Sequence, residues 1–390
     1  MTSEINFLLA AVAAARDDSQ VARARELASI VEWKRVFALA KIHCVTPIIC
    51  RFIAENGGAA TPESVKSTAR KQFLELWRRN TKFARTLVEI ARVIEAEGIP
   101  VIALKGPALA IQTWGDPVMR EYSDLDLLVK PHDVPRVAKL LADRGYRARR
   151  YVPNTAEGGS FFDFESEFTT AGNGVAIDLH VKLAPSYFPT GIDSDRLWLS
   201  SVRVEIEGST VATLNPTDSA RFVAAHAAKH GWRSFGFVSD FAALESSPDL
   251  DWPALLAGAT NQSGRMIRLA VILAEEMCGA RFPAEIDAAA RRDSDVTRLA
   301  RKIRARMFDA TADGLSLFHD WVVPLRSLER TQDRLRYAAG RAFRPTVEDR
   351  EFIALPRKIY WAYYLTRPLR MAGLHGHRLF RSAPLGGANQ

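Results

Sequence analysis

The fold is decided by the stretch PVIALKGPALAIQTWGDPVMREYSDLDLLVK, which runs from Pro100 to Lys130. Val101 to Leu104 predict a short buried strand, and a short helix follows it. Ser123 to Val129 predict a second strand, in which Asp124 and Asp126 stand two residues apart. Side chains alternate between the two faces of a strand, so residues i and i+2 point the same way. The two carboxylates therefore share one face of a strand whose other members are apolar.

This acidic pair predicts a cation between its two members. Two like charges held so close repel each other unless a positive charge separates them. Hard divalent ions bind carboxylate oxygens, and Mg²⁺ usually takes one or two protein carboxylates while substrate phosphates and waters complete its shell. A D-x-D pair alone is also common in turns, helix caps and solvated strand edges. The apolar flanks argue against a turn, and we therefore predict a divalent-metal site for phosphoryl transfer.

Two further segments favour this interpretation. Lys105-Gly106 ends the first strand about twenty residues upstream of the pair, where a backbone and an ammonium can approach a phosphate. The apolar run from Val175 to Val181 predicts another strand, with Asp178 as a third carboxylate. Asn173-Gly174 is a hairpin signal that brings this strand antiparallel to its predecessor. His180 points the same way as Asp178, either as a substrate or supporting contact or as an exposed residue at a sheet edge.

The order of these motifs resembles that of a known superfamily. L-K-G, then R-x-x-S-D-L-D-L-L-V from Arg120, then I-D-L-H ending at His180, is similar to the polymerase-β-type nucleotidyltransferases. The closer resemblance is to the bacterial uncharacterised nucleotidyltransferase family. It implies an α+β fold in which a small mixed nucleotidyltransferase sheet with flanking helices lies between two mainly helical regions. The wider superfamily has Gly-Ser or Gly-Gly where this chain has Gly106-Pro107, whereas the closer family's Lys-Gly version matches.

The resemblance also implies roles for individual residues. Three aspartates would hold two divalent ions, Mg²⁺ or Mn²⁺, which activate an attacking hydroxyl and the α-phosphate of an NTP. The expected catalytic and metal-binding residues are Asp124, Asp126 and Asp178. The expected nucleotide-binding residues are Lys105, Gly106, Arg120, Ser123, His180, His226, Lys229 and His230.

A pair of histidines follows the predicted transferase core. Residues 215–218 predict the start of a helix, with Thr217 or Asp218 as its cap. His226 and His230 are four residues apart and share a face of that helix. An H-x-x-x-H pair can bind zinc, but this one lacks the glutamate of H-E-x-x-H and an obvious third ligand. The resemblance implies that this stretch closes the nucleotide or acceptor pocket. A helix that packs its histidines against the core is the alternative.

Composition sets the size and class of the protein. The chain has 390 residues, 47% hydrophobic and 25% charged, which is typical of a soluble globular protein with more than one subdomain. The sequence predicts an N-terminal helical region at 1–98, a nucleotidyltransferase core at 99–215 and a C-terminal helical region at 216–390. Three cysteines without a C-x-x-C pair, and no signal or membrane-spanning segment, favour a cytoplasmic protein.

A basic aromatic stretch lies near the C-terminus. The formal net charge is +8, and residues 356–381 contain six basic and no acidic side chains. Three interpretations are open: a surface for nucleic acid or for peripheral contact with an anionic membrane, a phosphate-binding wall of the active site, or a solvated helix face, which is the usual role of a charge run. The basic residues are Arg357, Lys358, Arg367, Arg370, Arg378 and Arg381, and the interleaved aromatic residues are Tyr360, Trp361, Tyr363 and Tyr364.

The predicted function is metal-dependent transfer of NMP from an NTP to a hydroxyl of a small-molecule, peptide or protein acceptor, with release of pyrophosphate. The presence of all three carboxylates favours an enzyme over a catalytically silent NTP-binding regulatory module. An RNA-tailing polymerase ranks below both, because no recognisable RNA-binding module accompanies the core, and nucleic acid is not an expected partner.

Overall fold

The computed structural model describes residues 2–150, 165–171, 174–258, 263–309, 317–346, 349 and 352–370. In these ranges helices surround one seven-stranded mixed sheet, which confirms the predicted fold class. The strands are β1 (Val101–Ala103), β2 (Asp124–Val129), β3 (Arg147–Arg150), β4 (Glu165–Thr169), β5 (Ala176–His180), β6 (Val202–Ile206) and β7 (Ser209–Thr213). The helices are α1 (Ser3–Ala14), α2 (Val21–Ala28), α3 (Trp33–Ile42), α4 (Thr46–Asn56), α5 (Glu63–Ala96), α6 (Gly106–Trp114), α7 (Val134–Ala142), α8 (Ser194–Ser200), α9 (Pro216–Lys229), α10 (Phe235–Leu244), α11 (Trp252–Gly258), α12 (Gly264–Cys278), α13 (Ala284–Arg292), α14 (Ser294–Met307), α15 (Val323–Ser327) and α16 (Thr331–Phe343).

The sheet has the strand order β3-β4-β5-β2-β1-β7-β6. β2 and β5 lie side by side and run parallel, and Asp126 is the register partner of Asp178. β1 pairs antiparallel with β2 on its other side. β4 pairs antiparallel with β5, as the hairpin signal predicts. The acidic residues therefore lie on two adjacent strands in the middle of the sheet.

Two apolar cores support this arrangement. The second half of α5 places Phe83, Leu87 and Ile90 against the sheet, where they are buried together with β1, β2 and β5. A separate core joins helices from both ends of the chain, so that Phe7 of α1 belongs to the same buried cluster as Ile272 of α12. Apolar side chains spaced three and four residues apart give α5 the continuous stripe that this packing needs.

Several local predictions can be compared with the observed elements. Asn215 caps α9 by accepting the backbone N–H of Asp218, so the predicted caps Thr217 and Asp218 are wrong. Pro62 occupies the N-cap position of α5, and the hydroxyl of the preceding Thr61 donates to the carbonyl of Gly57 at 2.6 Å. Gly145 has a φ of +82° just beyond α7, as expected for a residue that ends a helix. Asn173 and residues 151–164, 371–381 and 382–390, on which other predictions fall, lie outside the described residues.

No helix in the described ranges is both long enough and apolar enough to span a bilayer. The longest one, α5, has 34 residues, but charged side chains recur along it.

Asn80 holds the loop between α6 and β2 in place. This side chain, fully buried in the middle of α5, donates from Nδ2 to the carbonyls of Pro117 at 3.3 Å, Val118 at 3.2 Å and Arg120 at 2.8 Å. Tyr122 adds a hydrogen bond from its hydroxyl to the carbonyl of Pro117 at 2.8 Å. Asn80, a polar residue that interrupts the apolar stripe of α5, therefore anchors the loop that leads into β2.

We expect Asn80→Ala to lower the free energy of unfolding by about 2–4 kcal/mol, because buried carbonyls left without a donor each cost about 1–3 kcal/mol. Urea unfolding followed by circular dichroism measures this change. Glu75→Ala, at an exposed position of the same helix, is the control and should change stability by no more than about 0.5 kcal/mol. Equal stability of the two variants would contradict the anchoring role.

Candidate active site

A buried carboxylate forms the centre of the site. Asp126 on β2 is 4% exposed, and its Oδ1 atom lies 2.8 Å from Lys105 Nζ and 2.9 Å from His180 Nε2. Burial alone raises the pKa of a carboxyl group, but the Lys105 ammonium and the hydrogen bond from His180 outweigh it and hold the pKa of Asp126 well below its usual range. Asp126 is therefore ionised at any physiological pH.

Asp126, Asp178 and His180 form a group that could hold a metal ion. Each of the three offers one ligand atom, and these atoms lie within 4.8 Å of one another. The parallel register explains the grouping, because Asp126 pairs with Asp178 across the strands and His180 follows two residues later on the same face. His180 is 6% exposed, so the alternative of a histidine exposed at a sheet edge is wrong.

Asp124 lies two residues before Asp126 on the same face of β2 and is partly exposed. Burial, and then the negative charge of Asp126, raise the pKa of Asp124, while Lys105 and His180 oppose the rise. This repulsion is the effect expected of a D-x-D pair on one strand face. The carboxylate of Asp124 lies outside the group of three ligand atoms described above.

The turn after β1 brings Lys105 to this carboxylate cluster. The backbone N–H of Leu104 donates to the carbonyl of Asp126 at 2.9 Å, which continues the pairing of β1 with β2. Gly106 then has a φ of +62°, and a Cβ at this position would lie 3.7 Å from the carbonyl oxygen of Asp124. A left-handed conformation favours glycine. The turn places Lys105 directly before the N-terminus of α6.

Comparison with known proteins agrees with this geometry. A family model described as "Uncharacterised nucleotidyltransferase" matches residues 29–279, which is more than half of the chain and includes the sheet and the carboxylate cluster. The chain belongs to this nucleotidyltransferase family. The match begins just after α2 and ends just after α12, so it also takes in helices that precede and follow the sheet in the chain.

Part of the chain is similar to a solved structure. It is the crystal structure of an antigenic nucleotidyltransferase-like protein from Paracoccidioides brasiliensis, with 13% sequence identity and a TM-score of 0.33. The similarity covers 53% of this chain and 97% of the fungal one. A search of curated protein sequences found no match.

Arg120 of the nucleotidyltransferase core pairs with a helix far along the chain. Its Nε atom lies 2.8 Å from Oδ2 of Asp240 on α10, and the two side chains are 13% and 8% exposed. Asp240 raises the pKa of Arg120 against the effect of burial. Burial raises the pKa of Asp240 in spite of Arg120. The pair connects the loop before β2 to α10.

The histidine face of α9 borders Lys105. His226 and His230 have ring centroids 4.5 Å apart, and the His230 ring stacks on Phe237 at 6.2 Å. Desolvation, and then the positive charge of Lys105, lower the pKa of the half-buried His226, so its ring is neutral at physiological pH. His230 is exposed. Among the described residues, no third side chain completes a metal-binding group with them. Their predicted role in nucleotide binding stays a prediction.

Two other regions predicted from the sequence are Ser123 and the basic stretch near the C-terminus. Ser123 is exposed immediately before β2, and its contact with nucleotide stays a prediction. In the basic stretch, Arg367 Nη1 and Arg370 Nε bind the two oxygens of Asp349 at 2.7 and 2.6 Å. Arg367 is only 4% exposed, so a solvated helix face is the wrong interpretation for it. Trp361 is 61% exposed, and peripheral membrane contact by the rest of the stretch stays a prediction.

Sequence reasoning missed three partners in this site. Asp240 was visible as an acidic residue within the apolar helix α10, but only the fold brings it to Arg120. Asn80 stood out as the one polar interruption of the α5 stripe. Glu167 on β4 is the register partner of Asp178, and its carboxylate binds Arg149 at 3.1 Å. An alternation count along β4 could have placed Glu167 on the acidic face of the sheet.

The Arg120–Asp240 pair makes a stability prediction. Asp240→Leu leaves a buried guanidinium without its carboxylate, and we expect the free energy of unfolding to fall by about 3–5 kcal/mol. The double variant Arg120→Met with Asp240→Leu removes both charges and should recover most of this loss. Urea unfolding of the two single variants and the double variant gives the coupling energy.

An exposed pair on α4 serves as the control for this cycle. Arg51 and Glu55 lie 3.1 Å apart with side chains 43% and 57% exposed, and Glu55→Ala should cost no more than about 1 kcal/mol. If the double variant at Arg120 and Asp240 were as unstable as the sum of its single variants, the two charges would be energetically independent.

Proposed function

We propose that the protein is a metal-dependent nucleotidyltransferase that moves NMP from an NTP to a hydroxyl group of a small-molecule, peptide or protein acceptor and releases pyrophosphate. Membership of the nucleotidyltransferase family supports the reaction class. The observation that carries the proposal is the group of Asp126, Asp178 and His180, of which Asp126 and His180 are buried and Asp178 is half-buried, with an ammonium beside Asp126. Such a group on the strands of a mixed sheet can bind a cation and face a polyphosphate.

The donor set fits a divalent ion. Two carboxylates suit Mg²⁺ and Mn²⁺, and an imidazole nitrogen is a ligand that transition metals accept more readily than Mg²⁺ does. Asp126, Asp178 and His180 would hold the ion, with Asp124 at the mouth of the site. When bound, a divalent ion supplies Lewis-acid polarisation of phosphate oxygens and lowers the pKa of a coordinated hydroxyl.

The chain itself supplies the electrostatics and the positioning. Lys105 extends from the turn between β1 and α6, and its ammonium offers a positive charge to phosphate oxygens that come to the N-terminus of α6. Arg120 is held by Asp240 at 2.8 Å, so its charge is compensated within the protein and it does not bind phosphate directly. The rings of His226 and His230, whose planes are inclined at 50° to each other, offer aromatic contacts to a nucleobase or an acceptor.

The test is pyrophosphate release from ATP, GTP, CTP and UTP with Mg²⁺ or Mn²⁺, measured with the full chain and a panel of sugar, aminoglycoside and peptide hydroxyl acceptors. We expect Asp126→Asn to reduce turnover at least about a thousandfold, because the charge that binds the ion is lost. EDTA should abolish turnover, and added Mn²⁺ should restore it.

Asp133→Asn is the matched control. Asp133 is also 4% exposed, but it lies beyond the opposite end of β2 and pairs with Arg136 at 3.4 Å. This variant should keep its turnover within a factor of about two, which would show that loss of any buried carboxylate is not sufficient to stop the reaction. Full turnover by Asp126→Asn would reject the proposed site, and tight NTP binding without turnover in the wild-type chain would favour the silent binding module.

A further inference from the structure

A short helix near the C-terminus carries apolar side chains on its outer side. Residues 363–370 form this helix, and a 3₁₀ turn (Arg357–Ala362) leads into it. Trp361, Leu365 and Leu369 are each more than half exposed. They are spaced four residues apart, so they lie along one side of the helix. These three side chains are called the outer stripe below.

The inner side of the same helix is polar and firmly held. Tyr363 is fully buried, and its hydroxyl donates to the carbonyl of Ile353 at 2.7 Å. Arg367 and Arg370 bind the two carboxylate oxygens of Asp349 at 2.7 and 2.6 Å. The helix therefore cannot rotate to bury its outer stripe without breaking these polar contacts. This order is the reverse of an ordinary surface helix, which turns its apolar side to the core.

The charge around the outer stripe discriminates between possible partners. Residues 352–370 contain four basic and no acidic side chains, and Lys358, one turn before Trp361, is exposed. Arg367 and Arg370 share a single carboxylate, so this paired group also keeps an excess positive charge. A second copy of the chain would bring the same positive charge to the stripe, and the repulsion would oppose its binding.

A membrane surface with anionic lipid fits both the apolar stripe and the charge. Interfacial helices bury leucine and tryptophan at the boundary between head groups and acyl chains, while basic side chains stay with the head groups. Tryptophan is enriched at this boundary, because its ring is apolar and its N–H is polar. A nucleic acid would also attract the basic side chains, but it offers no apolar phase for two leucines.

We propose that the helix at residues 363–370 docks the protein on a membrane surface that contains anionic phospholipid. The outer stripe is buried at the head-group boundary, and Lys358 lies beside the anionic head groups. This inference does not depend on the nucleotidyltransferase activity, because the outer stripe and the carboxylate cluster share no residue.

The experiment measures co-sedimentation of the full chain with sucrose-loaded vesicles. One set of vesicles is phosphatidylcholine alone, and the other is an equal mixture of phosphatidylcholine and phosphatidylglycerol. We expect a partition coefficient at least about tenfold higher for the mixed vesicles, because anionic head groups attract the basic segment. Added salt should lower this partition coefficient, since it screens the attraction.

Two sets of variants test the two parts of the surface. Leu365→Gln together with Leu369→Gln keeps the net charge and should lower partition at least about tenfold, because apolar area is lost. Leu199→Gln, at an exposed leucine of α8, is the matched control and should change nothing. Lys358→Gln should lower partition into mixed vesicles about fivefold. Lys139→Gln, at an exposed lysine of α7, is its control.

Circular dichroism shows which variants fold, and Leu369→Gln alone replaces the double variant if that one does not. Absence of binding to mixed vesicles by the wild type would overturn the proposal. Unchanged binding of the folded leucine variant, or equal binding to both kinds of vesicle, would overturn it too. Sedimentation velocity without lipid tests for a second copy, and a dimer that the leucine variant dissociates would assign the stripe to self-association instead.

Discussion

The burial of Asp126 in the middle of the sheet is the constraint on which the site depends. An ionised carboxylate that is 4% exposed is costly unless positive charge and hydrogen bonds compensate it. Lys105 supplies the charge and His180 supplies the hydrogen bond. These two residues come from different neighbours of β2, so β1 and β5 must both pair with it in one register. The compensation of the Asp126 charge therefore depends on the pairing of both β1 and β5 with β2.

Two helices, α5 and α10, hold the loop that leads into β2. Asn80 of α5 binds three carbonyls of the loop that enters β2, and Asp240 of α10 binds Arg120 in the same loop. α1 and α12 share one apolar core, although about 260 residues separate them in the chain. Helices that precede and follow the sheet in the chain therefore both contact the loop before β2.

The parts of the fold that sequence reasoning predicted correctly are those governed by local periodicity. Alternation along β2 and β5 places Asp126 and Asp178 on one face, and the stripe of α5 marks its buried side. The partners of charged residues were not predictable in this way. Arg120 and Asp240 are 120 residues apart, and no local pattern states which carboxylate a buried guanidinium will meet. The need for a cation at the D-x-D pair was visible, but its source depends on the turn geometry at Gly106.

The turn at Gly106 differs from that of the wider superfamily, which has Gly-Ser or Gly-Gly where this chain has Gly106-Pro107. Pro107 occupies the first turn of α6 and has no backbone N–H, so this helix start offers one fewer donor to an anion than a Gly-Ser turn would. It also lacks the serine hydroxyl. The ammonium of the preceding residue, Lys105, places a full positive charge at this turn, and this charge compensates Asp126. Lys105, Gly106 and Pro107 therefore form one unit, in which proline fixes the helix start, glycine permits the turn and lysine carries the electrostatics.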